Sequence, residues 1–93
     1  MLRIMEEKAA DNSTTLRLDG RVAGQWVGLL RTTCDRIFQN DGRLILDLGG
    51  VSFADLDGVQ LLRQLQQQVT FINSSPFLQE QIKQTTGNRS VSQ

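Results

Sequence analysis

Two carboxylates, Asp55 and Asp57, stand either side of Leu56 in the run Phe53-Ala-Asp-Leu-Asp-Gly58. The run lies where strand-like spacing gives way to helical spacing. Acidic groups at such a junction can cap a helix, hold a hard cation, accept a phosphoryl group or offer a fixed charge to a partner. Capping follows most directly. An aspartate at a helix start accepts a backbone N–H and faces the positive end of the helix dipole. Asp57 takes that part in the sequence, and Gln60, three residues on, completes a capping-box-like pair. A cation is poorly served, because two carboxylates fall well short of the 6–8 oxygens that Ca²⁺ takes. Phosphoryl transfer to one of them would need a second acidic cluster after the first strand, which this chain lacks.

Few other residues offer chemistry. There is no histidine, so the commonest general base and the commonest transition-metal ligand are missing. No nucleophile, base or metal set can be assembled from what remains, and the expectation is a non-enzymatic protein with no cofactor and no metal. Gly49-Gly50 is not a phosphate cradle, since no Gly-Lys-Ser/Thr follows. Asp47, alone among apolar neighbours, is expected to cap an adjoining turn. Cys34 and Trp26 fall on an apolar stripe and read as core. Gln64, Gln66, Gln67 and Gln68 read as solvated surface.

The balance of charge narrows the partners. Lys plus Arg is 10 and Asp plus Glu is 10. No basic excess is present to neutralise phosphates, which disfavours nucleic acid. No apolar run approaches the ~20 residues that cross a bilayer, and Met1–Ala10 lacks the apolar stretch of a signal peptide. A lone cysteine fits a reducing compartment, so the expected setting is cytoplasmic. At 93 residues, of which 39% are hydrophobic, the chain suits one small globular domain.

The elements that must position the acidic turn follow from periodicity. Residues 2–9 suggest an edge strand, and Asp11-Asn12-Ser13 a turn. Thr15 to Asp19 alternates as a half-buried strand that Gly20 ends. From Val22 the apolar residues recur at three- and four-residue steps: Trp26, Leu29, Leu30, Cys34, Ile37 and Phe38. This predicts a helix stopped by Asn40-Asp41-Gly42. Residues 44–48 predict a strand covered on both sides. After the acidic turn, Leu61, Leu62, Leu65 and Val69 line a second helix, and residues 69–73 form another strand. Ser75-Pro76 opens a third helix, with Phe77, Leu78 and Ile82 packed inward and Gly87 as its end. The order is β-β-α-β-α-β-α, an α/β fold whose mixed sheet is covered by helices. The domain is expected over residues 1–87, with 88–93 a flexible tail.

The segment from Leu44 to Leu62 resembles the signature of STAS domains, the fold of sulfate transporters and anti-sigma-factor antagonists. An apolar strand ends in Asp47-Leu48, a linker carries Val51 and Phe53, and a turn of the Asp-x-Ser/Thr-Gly kind enters a helix. Leu18-Asp19-Gly20 is similar to the family's Leu-x-Gly. The likeness spans residues 14–87. It departs where many members have a phosphoacceptor Ser or Thr, because Asp57 stands there, and the C-terminal end is short.

The resemblance implies a protein-binding regulatory module, an anti-sigma-factor antagonist that switches partners with an anti-sigma kinase. It implies contact through Asp55, Leu56, Asp57, Gly58, Gln60 and Arg63. Asp57 then supplies a permanent charge of about −1 where a phosphoserine would carry about −1.5 to −2. The alternative that the family offers is a subunit of a membrane transporter, such as an ABC-type lipid transporter.

Overall fold

A computed structural model describes residues 1–40 and 42–91, with side chains as far as residue 83. The elements are β1 (Leu2–Lys8), β2 (Ser13–Val22), α1 (Gln25–Gln39), β3 (Arg43–Ala54), α2 (Leu56–Leu65), β4 (Thr70–Ile72) and α3 (Pro76–Val91). The α/β class and the order β-β-α-β-α-β-α are as the sequence predicts.

The hairpin comes first. Asp11 Oδ1 accepts the Ser13 N–H at 3.1 Å and the Ser13 hydroxyl at 2.7 Å. Asn12 turns through a φ of 72°, a conformation that asparagine tolerates better than most residues. β1 then pairs antiparallel with β2, without a break from Leu2↔Gly20 to Lys8↔Thr14. β3 joins β2 in parallel, and β4 joins β3 in parallel, so the strand order is β1-β2-β3-β4. Both parallel connections carry a helix, and right-handed crossovers place α1 and α2 on the same face.

That face is the core. Leu16, Leu18, Leu46 and Leu48 from the sheet meet Leu30 and Cys34 from α1 and Leu61 and Leu62 from α2, all fully buried. Each such leucine stabilises the fold by about 1.5–3 kcal/mol. Burial, with the charge of Asp35 beside it, pushes the Cys34 thiol up to about 11. The other sheet face holds Met5, Arg17, Asp47 and Ile72 in one row across the four strands. Strand alternation puts these on the side opposite the leucines.

Several expectations are corrected. β2 does not end at Gly20 and β3 does not end at Leu48. Both run on, because β3 carries extra residues between Asp47 and Gly50 and between Val51 and Phe53, and the resulting irregularities keep it in step with β2. Gly20 lies within the pairing because it adopts a φ of 118°, and a Cβ there would overlap the Met1 carbonyl. Val22 therefore belongs to β2 and not to α1. Leu29 and Phe77 are exposed at 45% and 65%, since each falls one step off the face its helix buries. Val69 lies in the turn after α2 and is buried there. α3 continues through Gly87 to Val91. A single glycine lowers helix stability by about 1 kcal/mol but breaks no hydrogen bond. Asp41 of the stop expected after α1, and residues 92 and 93 of the tail expected over 88–93, lie outside the described residues.

Ser75 does cap α3, with the Leu78 N–H donating to its hydroxyl at 3.1 Å. Asp47 does not cap an adjoining turn, because Gly49 lies within β3; it instead ties the irregularity of its own strand to the residue after β4. Its Oδ1 accepts the Gly49 N–H at 3.0 Å and the Asn73 side-chain amide at 3.1 Å. Its Oδ2 lies 3.6 Å from Arg17 Nε. The Gly49 and Asn73 bonds hold its carboxyl below the usual range.

Candidate functional site

The acidic turn sits where β3 hands over to α2, beside the end of β2 and the start of α1. Asp55, not Asp57, caps α2. Its Oδ1 accepts the Gly58 N–H at 2.8 Å. Its Oδ2 accepts the Gly24 N–H at 2.9 Å, reaching 31 residues back to the α1 start. Its own N–H donates to the Val22 carbonyl at 3.2 Å, and the Val59 N–H donates to the Asp55 carbonyl at 2.8 Å. One residue thus ties three elements together. The Gly24 bond, followed by the Gly58 bond, draws the Asp55 carboxyl below its usual range.

Asp57 lies within the first turn of α2, two positions past the N-cap. It is exposed, and its carboxylate makes no hydrogen bond or ion pair. The capping box with Gln60 is absent for the same reason, and the residue three after the true cap is Gly58. The sequence admits either frame, two residues apart, because both aspartates have a plausible partner three positions on. The deciding signal was Gly58 itself. It is buried, and a Cβ there would overlap the Val22 carbonyl oxygen. Only glycine lets the helix come this close to β2.

The six residues named from sequence therefore divide. Asp55 is half-buried and Gly58 is buried, and together they build the base. Gly58 has no side chain to offer a partner. Leu56, Asp57 and Gln60 are exposed around the helix start, and Arg63 is half-buried one turn on. Leu56 is 68% exposed, a large apolar side chain held in water.

Two neighbours were not foreseen as part of this surface. Phe53 is 42% exposed just before the turn. The Arg21 guanidinium lies 5.4 Å from its ring centroid. Their pairing depends on the β2–β3 register past the irregularities, which the sequence does not display. The arrangement presents an apolar and charged rim on a hydrogen-bonded base. Among the described residues no group of three or more metal-ligating side chains comes together. No helix of the described residues is long and apolar enough to cross a membrane.

No protein-family profile matches this chain, and no curated protein sequence matches it. Among solved structures it is similar to the anti-sigma factor antagonist SpoIIAA in its unphosphorylated form. The TM-score is 0.68 with 22% sequence identity, covering 84% of this chain and 79% of that one. The likeness is one of fold, and it is the fold that the STAS resemblance implies.

Proposed function

We propose that this chain is a non-enzymatic, protein-binding regulatory module of the anti-sigma-factor-antagonist kind, acting in the cytoplasm by partner switching with an anti-sigma kinase. The observation that carries this reading is the exposed Leu56 on a base fixed by Asp55 and Gly58, within a fold shared with SpoIIAA. An apolar side chain held in water at a helix start is suited to a partner's pocket. Asp57, Gln60 and Arg63 flank it and supply polar contacts. Asp57 occupies the position equivalent to the phosphoacceptor and carries a charge that no kinase or phosphatase regulates.

That fixed charge also favours a second reading, a permanently assembled subunit of a membrane transporter such as an ABC-type lipid transporter. Capture of partners from the native host, followed by mass spectrometry, separates the two. A histidine-kinase-like ATPase supports the first, and a transporter ATPase or permease the second. In either case Leu56→Asp should abolish capture while leaving melting unchanged. Capture that persists at full strength with Leu56→Asp would remove this surface from consideration.

A further inference from the structure

The outer edge of β1 is a strand with no partner among the described residues. Edges of this kind are normally blunted by proline, by a bulge or by extreme shortness. β4 is short, at three residues. β1 has seven residues, no proline and an unbroken register with β2. Its remaining guard is charge: Arg3, Glu6, Glu7 and Lys8. Charge protects an edge only if pairing sets like against like.

The direction of the backbone groups can be read off. The Met1 carbonyl accepts from the Arg21 N–H, and the Ala9 N–H donates to the Ser13 carbonyl, so the odd-numbered residues of β1 point their hydrogen-bonding groups at β2. By alternation, the N–H and C=O groups of Leu2, Ile4, Glu6 and Lys8 point outward. A second β1, antiparallel about a two-fold axis, can satisfy these groups only in registers that set even residues opposite even residues.

Among these, three registers pair five or more residues of the strand. Centred on Ile4, Arg3 faces Met5 of the second copy and Leu2 faces Glu6. Centred on Glu6, two Glu6 carboxylates oppose each other. Centred on Met5, all seven residues pair, and Arg3 of each copy faces Glu7 of the other. These two Arg–Glu pairs fall at positions that do not share hydrogen bonds, where cross-strand side chains lie closest. The half-exposed Met5 side chains meet on the axis, at 36% exposure each in the single chain.

We propose that two copies of this chain associate through β1 in the Met5-centred register, forming one continuous eight-stranded sheet. The interface is isologous, so it closes at two copies. It leaves α2 and its acidic entry outside the shared strand pair, so it is independent of the function proposed above.

Charge reversal tests it. Glu7→Arg sets arginine against arginine, and Arg3→Glu sets glutamate against glutamate. Sedimentation equilibrium of the full chain across concentrations should show a wild-type dimer. Each single variant should dissociate at least about tenfold more readily. An equimolar mixture of the two should recover wild-type association, since positions 3 and 7 are then both arginine on one chain and both glutamate on the other. Unchanged far-UV circular dichroism and melting of the variants would show that folding is intact. If either variant fails to fold, the doubly exchanged chain carrying Arg3→Glu and Glu7→Arg, which keeps both pairs, should still dimerise. A wild-type chain that stays monomeric up to about 1 mM overturns the proposal, as does a dimer indifferent to charge reversal.

Discussion

Asp55 and Asp57 share a residue type, a helix start and a separation of two positions, yet the fold treats them in opposite ways. Asp55 has both carboxylate oxygens engaged by backbone N–H groups from two different elements. Asp57 has neither oxygen engaged. The first holds the β2–α1 and β3–α2 connections at fixed spacing, and the second is carried on that frame into solvent. Charge at this turn is therefore not one feature. One aspartate is consumed by the architecture, and the other is left available to whatever approaches. Leu56, between them, belongs with the available side.

Substitution should separate these two sides by size of effect. The largest loss is expected from Gly58→Ala. The added Cβ meets backbone, not a flexible side chain, so α2 must shift as a unit. Overpacking of this kind costs about 1–3 kcal/mol or more, measured by denaturant unfolding. Partner affinity should fall with it, because the exposed rim rides on the same helix.

Asp55→Ala comes next. It leaves the Gly24 and Gly58 N–H groups without their acceptor and should lower the melting temperature by roughly 4–8 °C. The same residue shapes the pH dependence. Asp55 and Asp47 are both held below the ordinary carboxylate value of 3.8 in the folded chain. Their contribution is complete above that value and is lost as pH falls through the lower folded values. Unfolding midpoints should stay level from about pH 5 to pH 7 and drop below about pH 4. Asp55→Asn keeps an oxygen for one backbone bond and should flatten that drop. A drop of unchanged steepness would mean that other carboxylates govern acid unfolding.

Asp57→Ser should be nearly silent in folding, with a change under about 1 kcal/mol from the lost interaction with the helix dipole. Its effect belongs to binding. Affinity for an identified partner should change at least tenfold, equivalent to about 1.4 kcal/mol. Tighter binding would mean that the native carboxylate repels the partner as a phosphate would, and weaker binding that the partner has adapted to it. If neither melting nor affinity moves, the charge at position 57 has no role. The smallest expected signal is none. Incubation of the native chain with a Ser/Thr kinase and ATP should leave the peptide from Asp55 to Leu62 without phosphate by mass spectrometry, because it contains no hydroxyl side chain.

Periodicity made the elements legible. The three-and-four spacing through Leu30, Cys34 and Ile37 marked α1, and the alternation of Leu16 and Leu18 marked the buried face of β2. What stayed hidden depends on contacts between distant residues. Nothing local says that Gly24 will donate to a carboxylate 31 positions later, and without that bond either aspartate can pass as the cap. The continuation of β3 past two adjacent glycines was hidden in the same way. Its irregularities exist only in register with β2. The STAS resemblance names Leu56, but no local pattern says that this leucine stays exposed at the helix start.

The strand order along the sheet repeats the order along the chain. No strand has to wait for one not yet synthesised. A chain leaving the ribosome at about 5–20 residues per second can close the β1–β2 hairpin first, then add β3 and β4 in turn to the growing side. Each addition closes a loop of only one helix, which keeps the entropic cost of each step low. The outer side of β1 is finished with the hairpin and is never revised. The entry to α2 takes shape only after β2, α1 and β3 are all in place. A truncation that removes β4 and α3 should therefore disturb the far edge of the sheet first and the hairpin last.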